Sequence, residues 1–377
     1  MKVAIDSGPL NSAHSVRGIG LYARELIKAI GEVKKSYKDL KIDIVDFLKT
    51  NLSGYDIVHY LSFDPFRLSL LLKKPAKIVV TIHDLIPLLY PKIYPPGIRG
   101  KFFYWLQGLL IKNVDVIITD SETSKKDIVR LLGVSPNKVI VINLAPGADF
   151  RVIHDKVELD GVVSKYKLNR KFVFYLGDVN YTKNIVNLIK ACDIAKIQLV
   201  IAGKHATQVE ENIHTNLTNL KGPRDWIRFI LGKPHPELRH YVKLEKLFVN
   251  KNVLRLGYVT DDDLIPIFNL ATVYCQPSFY EGFGLPVLQA FACEVPVVIS
   301  KTNCLVEIAN GAALIADPND PKDIAKKLLS LVNDSSLRVS LIRKGRERLK
   351  DFSWEKTARE TIEVYKSIQE NPGLSAR

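Results

Sequence analysis

The chain has 377 residues, more than a single hydrophobic core usually fills, so two domains of ordinary size are expected. Its 47% hydrophobic and 25% charged residues exclude a disordered or fibrous polymer. A net charge of +14 suits phosphorylated small molecules, anionic lipid or nucleic acid. The basic residues fall in scattered pairs such as Lys34-Lys35 and Lys125-Lys126, without interleaved aromatic residues, and nucleic acid is not expected as a partner.

The first residues, Met1 to Asp6, read as a strand rather than a secretory leader, and no apolar run is long enough to span a bilayer, so a cytoplasmic protein is expected. Short aliphatic runs follow at Val3–Asp6, Ile42–Phe47, Ile57–Tyr60, Ile78–Ile82, Val116–Thr119 and Val139–Ile142. Runs of this kind, bounded by turns and followed by helical patterns, are the signature of buried parallel strands. A second series begins after a polar stretch: Phe172–Leu176, Gln198–Ala202, Val253–Leu256, Val273–Gln276, Val297–Ser300 and Ala313–Ile315. The chain therefore reads as two successive α/β domains. The segment 207–250 is long for a connection inside such a domain. The run Phe102–Ile111, bounded by Lys101 and Lys112, fits either a membrane-surface element or, being apolar nearly all round, a buried helix, and the buried helix is the expected reading.

The four cysteines, Cys192, Cys275, Cys293 and Cys304, form no close pair and lie among apolar neighbours, which predicts buried free thiols. Chemistry is concentrated in Pro277-Ser-Phe-Tyr-Glu-Gly-Phe-Gly-Leu-Pro286, where a strand ends, a carboxylate follows, and two glycines precede a helix start. Unpaired N–H groups and the positive end of the helix dipole make such a start a ready seat for a diphosphate.

The longer block from Tyr280 to Val298 resembles the E-x7-E block of the GT-B retaining glycosyltransferases of family 4. Arg17-Gly-Ile-Gly-Leu-Tyr22, Thr81-Ile-His-Asp-Leu-Ile-Pro87, Ser121-Glu-Thr-Ser124, Tyr175-Leu-Gly-Asp-Val-Asn-Tyr-Thr-Lys-Asn184, Leu199-Val-Ile-Ala-Gly203, Gly257-Tyr-Val259 and Phe352-Ser-Trp-Glu-Lys-Thr-Ala358 match the same family in order, several of them resembling its mannosyltransferase-like branch. The resemblance implies two Rossmann-like domains facing across a cleft: an acceptor-side domain at 1–168, a nucleotide-sugar domain at 169–350, and a last helix within 351–377 crossing back to the first. It implies transfer of a hexose, with mannose favoured, from a nucleotide-diphosphate sugar such as GDP-mannose to a glycan or lipid-linked acceptor. Retention of configuration, no metal or other cofactor, and peripheral contact with an anionic membrane at the inner face are further expectations.

By the same resemblance His83, Lys183 and Glu281 are the catalytic set. Lys183 would offset charge on the departing diphosphate, Glu281 would bind donor-sugar hydroxyls, and His83 would touch the sugar near its reacting carbon. Gly18, Gly20, Asp84, Lys204, Gly282, Phe283, Gly284, Leu285 and Gln289 would bind donor. Two departures stand out. Gln289 occupies the place of a glutamate that grips the ribose, and the places of the usual diphosphate arginine hold Asp178 and Thr182, with Lys204 or Arg17 as substitute cations. These departures keep a non-catalytic sugar-nucleotide-binding protein as an alternative, beside a GT-B epimerase needing no acceptor. A dinucleotide oxidoreductase is disfavoured, because no G-x-G-x-x-G follows either first strand.

Overall fold

The structure is a computed structural model that describes residues 1–11, 18–211, 213 and 236–370. The chain divides into two compact units: one holds Met1–Pro91, Pro95–Ala145 and the chain from Phe352 onward, the other Lys92–Tyr94 and Pro146–Asp351.

The first unit is built on β1 (Lys2–Asp6), β2 (Lys41–Val45), β3 (Ile57–Tyr60), β4 (Lys77–Thr81), β5 (Val116–Thr119) and β6 (Val139–Val141), in the order β2-β1-β3-β4-β5-β6. Every neighbouring pair is parallel, for instance Val80 beside Ile117. Valine and isoleucine dominate because helices cover the sheet and alternation with polar residues would bury unpaired groups. Val58, Val80 and Ile117 pack with Ile128 and Leu132 of the helix Glu122–Leu132. That helix starts where the Ser121 hydroxyl accepts the Ser124 N–H at 3.1 Å, and stops where Gly133 takes a left-handed conformation with φ of 65°. The helix Trp354–Glu370 packs along the helix Gly18–Val33 within this unit, and its Tyr365 hydroxyl lies 2.7 Å from Nδ1 of buried His59.

The second unit carries β7 (Phe172–Leu176), β8 (Gln198–Ala202), β9 (Val253–Gly257), β10 (Val273–Gln276), β11 (Val297–Ser300) and β12 (Leu314–Ala316), in the order β12-β11-β10-β7-β8-β9, again all parallel. Its core joins Val173, Tyr175, Leu199 and Ile201 of the sheet to Leu188 of the helix Ile185–Ala195 and Leu328 of the helix Pro321–Asn333. Beyond the ends of β7 and β8 the two backbones nearly touch. A Cβ built on Gly203 would lie 2.0 Å from the carbonyl oxygen of Gly177, so only glycine fits there.

All twelve expected strands are present, and the four cysteines are buried free thiols. No helix among the described residues is long and apolar enough to cross a membrane. Of the long segment 207–250, residues 212 and 214–235 lie outside the described residues, and a helix runs Pro236–Phe248. One expectation fails. The apolar run near Phe102 forms the helix Ile98–Leu110, and its one buried residue is Gln107, while Phe102, Trp105 and Leu109 are exposed. The Gln107 amide donates to the carbonyls of Arg67 at 2.6 Å and Asp64 at 3.3 Å, and with half-buried Phe103, Leu106 and Leu110 it occupies the inner side, leaving the other apolar residues outward.

Candidate active site

The expected site residues form two groups, one in each unit. In the second unit β10 ends at Gln276, and the chain then turns through Ser278 and Glu281 into the helix Leu285–Ala292. Glu281 is the hub. One carboxylate oxygen, Oε1, accepts from the Gln276 amide and the Ser278 hydroxyl, each at 2.6 Å, and the other lies 2.6 Å from Nζ of Lys183. Three donors fixed on a buried carboxylate hold it in one orientation, and the ammonium contact is the stronger, charge-assisted kind.

Lys183 reaches that place from the turn after β7. Asn184 has a left-handed backbone, φ 59°, and its amide donates to the carbonyls of Pro277 at 2.9 Å and Pro318 at 2.7 Å. The Phe279 N–H donates to the Thr182 carbonyl at 2.7 Å, so the turn bearing Lys183 and the turn bearing Glu281 are stitched together. The Ser278 carbonyl accepts in turn from Ser300 and from Thr302, the latter at 2.9 Å. Sequence reasoning passed over Gln276 and Ser278. Their signal was position alone: a polar pair at the end of an otherwise apolar strand, on the side from which Glu281 follows.

Gly284 takes a φ of 96°, which lets the chain swing directly into the helix behind Pro286. Gly282 and Phe283 are buried, and the Cys304 thiol sits 3.1 and 3.0 Å from their carbonyl oxygens. Gln289 is buried one turn further along, and its Oε1 has no hydrogen-bond partner among the described residues. A buried acceptor left in that state is suited to a hydroxyl donor from a ligand. Lys204 opens the turn after β8 with its side chain exposed. Asp178, where the family arginine is absent, pairs with His205 at 2.7 Å.

In the first unit His83 lies just beyond β4. Nδ1 is 2.7 Å from the carboxylate of Asp120 at the end of β5, and Nε2 is 3.3 Å from the Leu61 carbonyl oxygen. Both partners are acceptors, which favours the imidazolium with a proton on each nitrogen. Burial works against that charge, but the charge and hydrogen bond of Asp120, helped by Asp84 and the Leu61 carbonyl, outweigh it and raise the pKa of His83. Tyr22 packs edge-on against the ring at 4.7 Å. Asp84 accepts the Ile86 N–H at 3.0 Å and so starts the short helix Ile86–Leu89. Gly18 and Gly20 open the helix Gly18–Val33, with Gly18 exposed and a Cβ there meeting nothing within 4 Å among the described residues. Arg17 lies outside the described residues. Asp120 carried no local signal, because the pairing spans the 37 residues between the ends of two neighbouring strands.

His59, one strand away from His83, has the opposite character. Its nitrogens meet the hydroxyls of Tyr365 and Thr81 at 2.7 and 2.9 Å, and burial, with the charge of His83, lowers its pKa to about 3. The two histidines therefore act on stability with opposite signs. The charged His83 contributes below its unfolded pKa, and that contribution is lost as pH rises through its raised folded value. The neutral His59 contributes above its unfolded pKa, and that contribution is lost as pH falls below it toward about 3. Asp120→Asn is expected to lower the His83 pKa, as read from its imidazole proton shifts, and to cost more stability at pH 6 than at pH 9. A wild-type His83 titrating below the ordinary histidine value would contradict this reading.

A family model described as glycosyl transferases group 1 matches residues 162–348, and a model described as Glycosyltransferase Family 4 matches residues 17–145. The chain is 29% identical over 299 residues to O-antigen chain mannosyltransferase B of Escherichia coli, covering 77% of this chain and 70% of that one. It is 26% identical to the serotype-specific mannosyltransferase WbdA of Escherichia coli over 92% of this chain, and spans 44% of that longer protein. Among solved structures, sucrose-phosphate synthase from Thermosynechococcus elongatus superposes with a TM-score of 0.71 at 18% identity, covering 98% of this chain and 99% of that one. HepE of Anabaena, solved in complex with UDP-glucose, superposes with a TM-score of 0.67 at 13% identity, covering 97% of this chain and all of the other.

Proposed function

This chain belongs to the family 4 glycosyltransferases of GT-B fold, enzymes that use nucleotide-sugar donors, and on that footing we propose that it transfers a hexose, with mannose favoured, with retention of configuration. The observation that carries the reading is the locked pair of Lys183 and Glu281 beside the helix start at Leu285. Lys183 and the helix N-terminus meet the diphosphate, and Glu281 takes hydroxyls of the donor sugar. The unpartnered Oε1 of Gln289 accepts from the ribose, with an ordinary rather than a charge-assisted hydrogen bond.

In the proposed reaction the bond from the anomeric carbon to the diphosphate oxygen breaks as the acceptor hydroxyl attacks from the same face. The acceptor proton passes to the leaving phosphate oxygen, so charge and atoms balance without a metal. Asp120 and the Leu61 carbonyl occupy both ring nitrogens of His83, so its proposed part is that of a fixed positive charge favoured by Asp120 rather than of a base. GDP-mannose is the favoured donor, in keeping with the mannosyltransferase names of the two Escherichia coli relatives. The acceptor is a glycan or a lipid-linked glycan, and the protein works in the cytoplasm, at the membrane when the acceptor is lipid-linked.

Anomeric proton NMR during transfer from GDP-mannose to mannose-terminated oligosaccharides tests this directly. The expected product is α-linked, and a β-linked product would overturn the retaining mechanism. A second reading has one observation in its favour: Asp178 offers a carboxylate, paired to His205, where the family places a cation. A non-catalytic binding protein would bind the same donor and give no product with any acceptor.

A further inference from the structure

The helix Ile98–Leu110 half-buries Phe103, Leu106 and Leu110 on one side and leaves a second apolar stripe outward. Ile98, Phe102, Trp105 and Leu109 follow one another at spacings of four, three and four residues, which sets them in a single stripe along one side of an α-helix. All four are exposed, at 75, 54, 60 and 46%. The residue on the opposite side, Gln107, is the buried one, and its two hydrogen bonds to the loop 64–67 fix the rotation of the helix about its axis. Tyr104 adds a second tether, donating to the Leu131 carbonyl at 3.1 Å. The stripe is thus presented by construction rather than left over from a poorly fitted helix, and four adjacent large apolar side chains held in water are costly without an apolar neighbour.

Charge narrows the kind of neighbour. Between Leu85 and Val114 the chain has Lys92, Arg99, Lys101 and Lys112 and no aspartate or glutamate. Lys101 borders the stripe on the helix, exposed Lys112 follows in the turn Ile111–Asn113, and Arg99 lies 5.4 Å from the ring of Phe103. An apolar stripe containing tryptophan and phenylalanine, edged by lysines, is the form of a helix that lies in the interface of a bilayer rather than across it. A second copy of this chain would bring lysines against lysines, whereas an anionic headgroup layer pairs with them.

We propose that this face docks the protein on an anionic lipid surface, with Phe102 and Trp105 entering the acyl boundary and Lys101 and Lys112 at the headgroups. The inference deepens the lipid-linked-acceptor reading by naming the surface involved, but it is tested without donor or acceptor, so either can fail alone.

The full chain is sedimented with phosphatidylcholine vesicles with and without phosphatidylglycerol, at low and high salt, while tryptophan emission against brominated lipid is compared between wild type and Trp105→Phe. Binding is expected only with phosphatidylglycerol, weakened by salt, with quenching that Trp105→Phe removes. The pair Phe102→Ser and Trp105→Ser is expected to lower vesicle affinity at least about tenfold, and Lys101→Glu with Lys112→Glu to weaken it similarly, while the thermal midpoint of each variant stays close to wild type. The proposal is overturned if the full chain binds neither vesicle, if the serine pair binds as well as wild type, or if the stripe instead drives a concentration-dependent dimer that the serine pair abolishes.

Discussion

Lys183→Ala is expected to lower kcat by about 100-fold or more, the usual scale for removing one preorganised charge from a developing anion. The structure explains why this change should reach further than one missing contact. Lys183 is the cation on Glu281, which is otherwise held by the neutral donors Gln276 and Ser278. Removing it strips positive charge from the diphosphate site and leaves a buried carboxylate short of a partner, at a cost of about 1–3 kcal/mol. Glu281→Gln keeps the shape but converts a pure acceptor into a mixed donor and acceptor, which now meets the Lys183 ammonium and the Gln276 amide. Because the two side chains act as a unit, the double variant is expected to lose much less than the product of the single losses. Steady-state kinetics on the two single variants and the double variant give the comparison, and strictly multiplicative losses would count against a coupled pair.

The second large effect is structural. Gly203→Ala places a methyl 2.0 Å from the Gly177 carbonyl oxygen and 2.9 Å from its carbon, and both are backbone atoms at the end of a central strand. Neither can rotate away as a side chain would. The Gly177 N–H donates to the Ala202 carbonyl at 2.9 Å, so moving one backbone breaks the pairing that holds the other. The expected cost is about 4 kcal/mol or more, in the range reserved for forced backbone change. It should appear in urea unfolding followed through the second unit and as weakened nucleotide binding, since Lys183 and Lys204 both stand on turns that leave these strands. Gly18→Ala is the contrast, because its Cβ meets nothing within 4 Å among the described residues and is expected to leave the fold intact. An unchanged unfolding curve for Gly203→Ala would mean that the close approach is not required.

The fold was legible because a strand buried on both faces must be apolar almost throughout, and runs such as Val297–Ser300 and Gln198–Ala202 can be read as strands without knowledge of their neighbours. Lys183 and Glu281 were legible as motif positions, though not their distance, since 98 residues separate them and only the sheet order brings β7 beside β10. Asp120 was not legible for the same reason without the motif to compensate: a strand-end aspartate has many possible duties, and only the adjacency of β4 and β5 gives it His83. The helix Ile98–Leu110 was misread because periodicity reports how apolar residues are arranged around an axis and not which way the helix is rolled. A helix apolar nearly all round can bury only one side, and here that side carries Gln107, bonded to two backbone carbonyls, with Phe103, Leu106 and Leu110 half-buried beside it.

The central claim is that the second unit holds a nucleotide-sugar donor through the Lys183–Glu281 pair. Thermal unfolding of the wild type and of Lys183→Ala with GDP, UDP, ADP, GDP-mannose and UDP-glucose in turn, with EDTA present, tests it most directly. A ligand at about a hundred times its dissociation constant adds about 2.7 kcal/mol to a folded state that alone binds it. A metal-independent rise with one base is expected, largest for GDP and GDP-mannose, and Lys183→Ala should reduce or abolish it. No rise with any nucleotide, or an equal rise in the variant, would contradict the central claim.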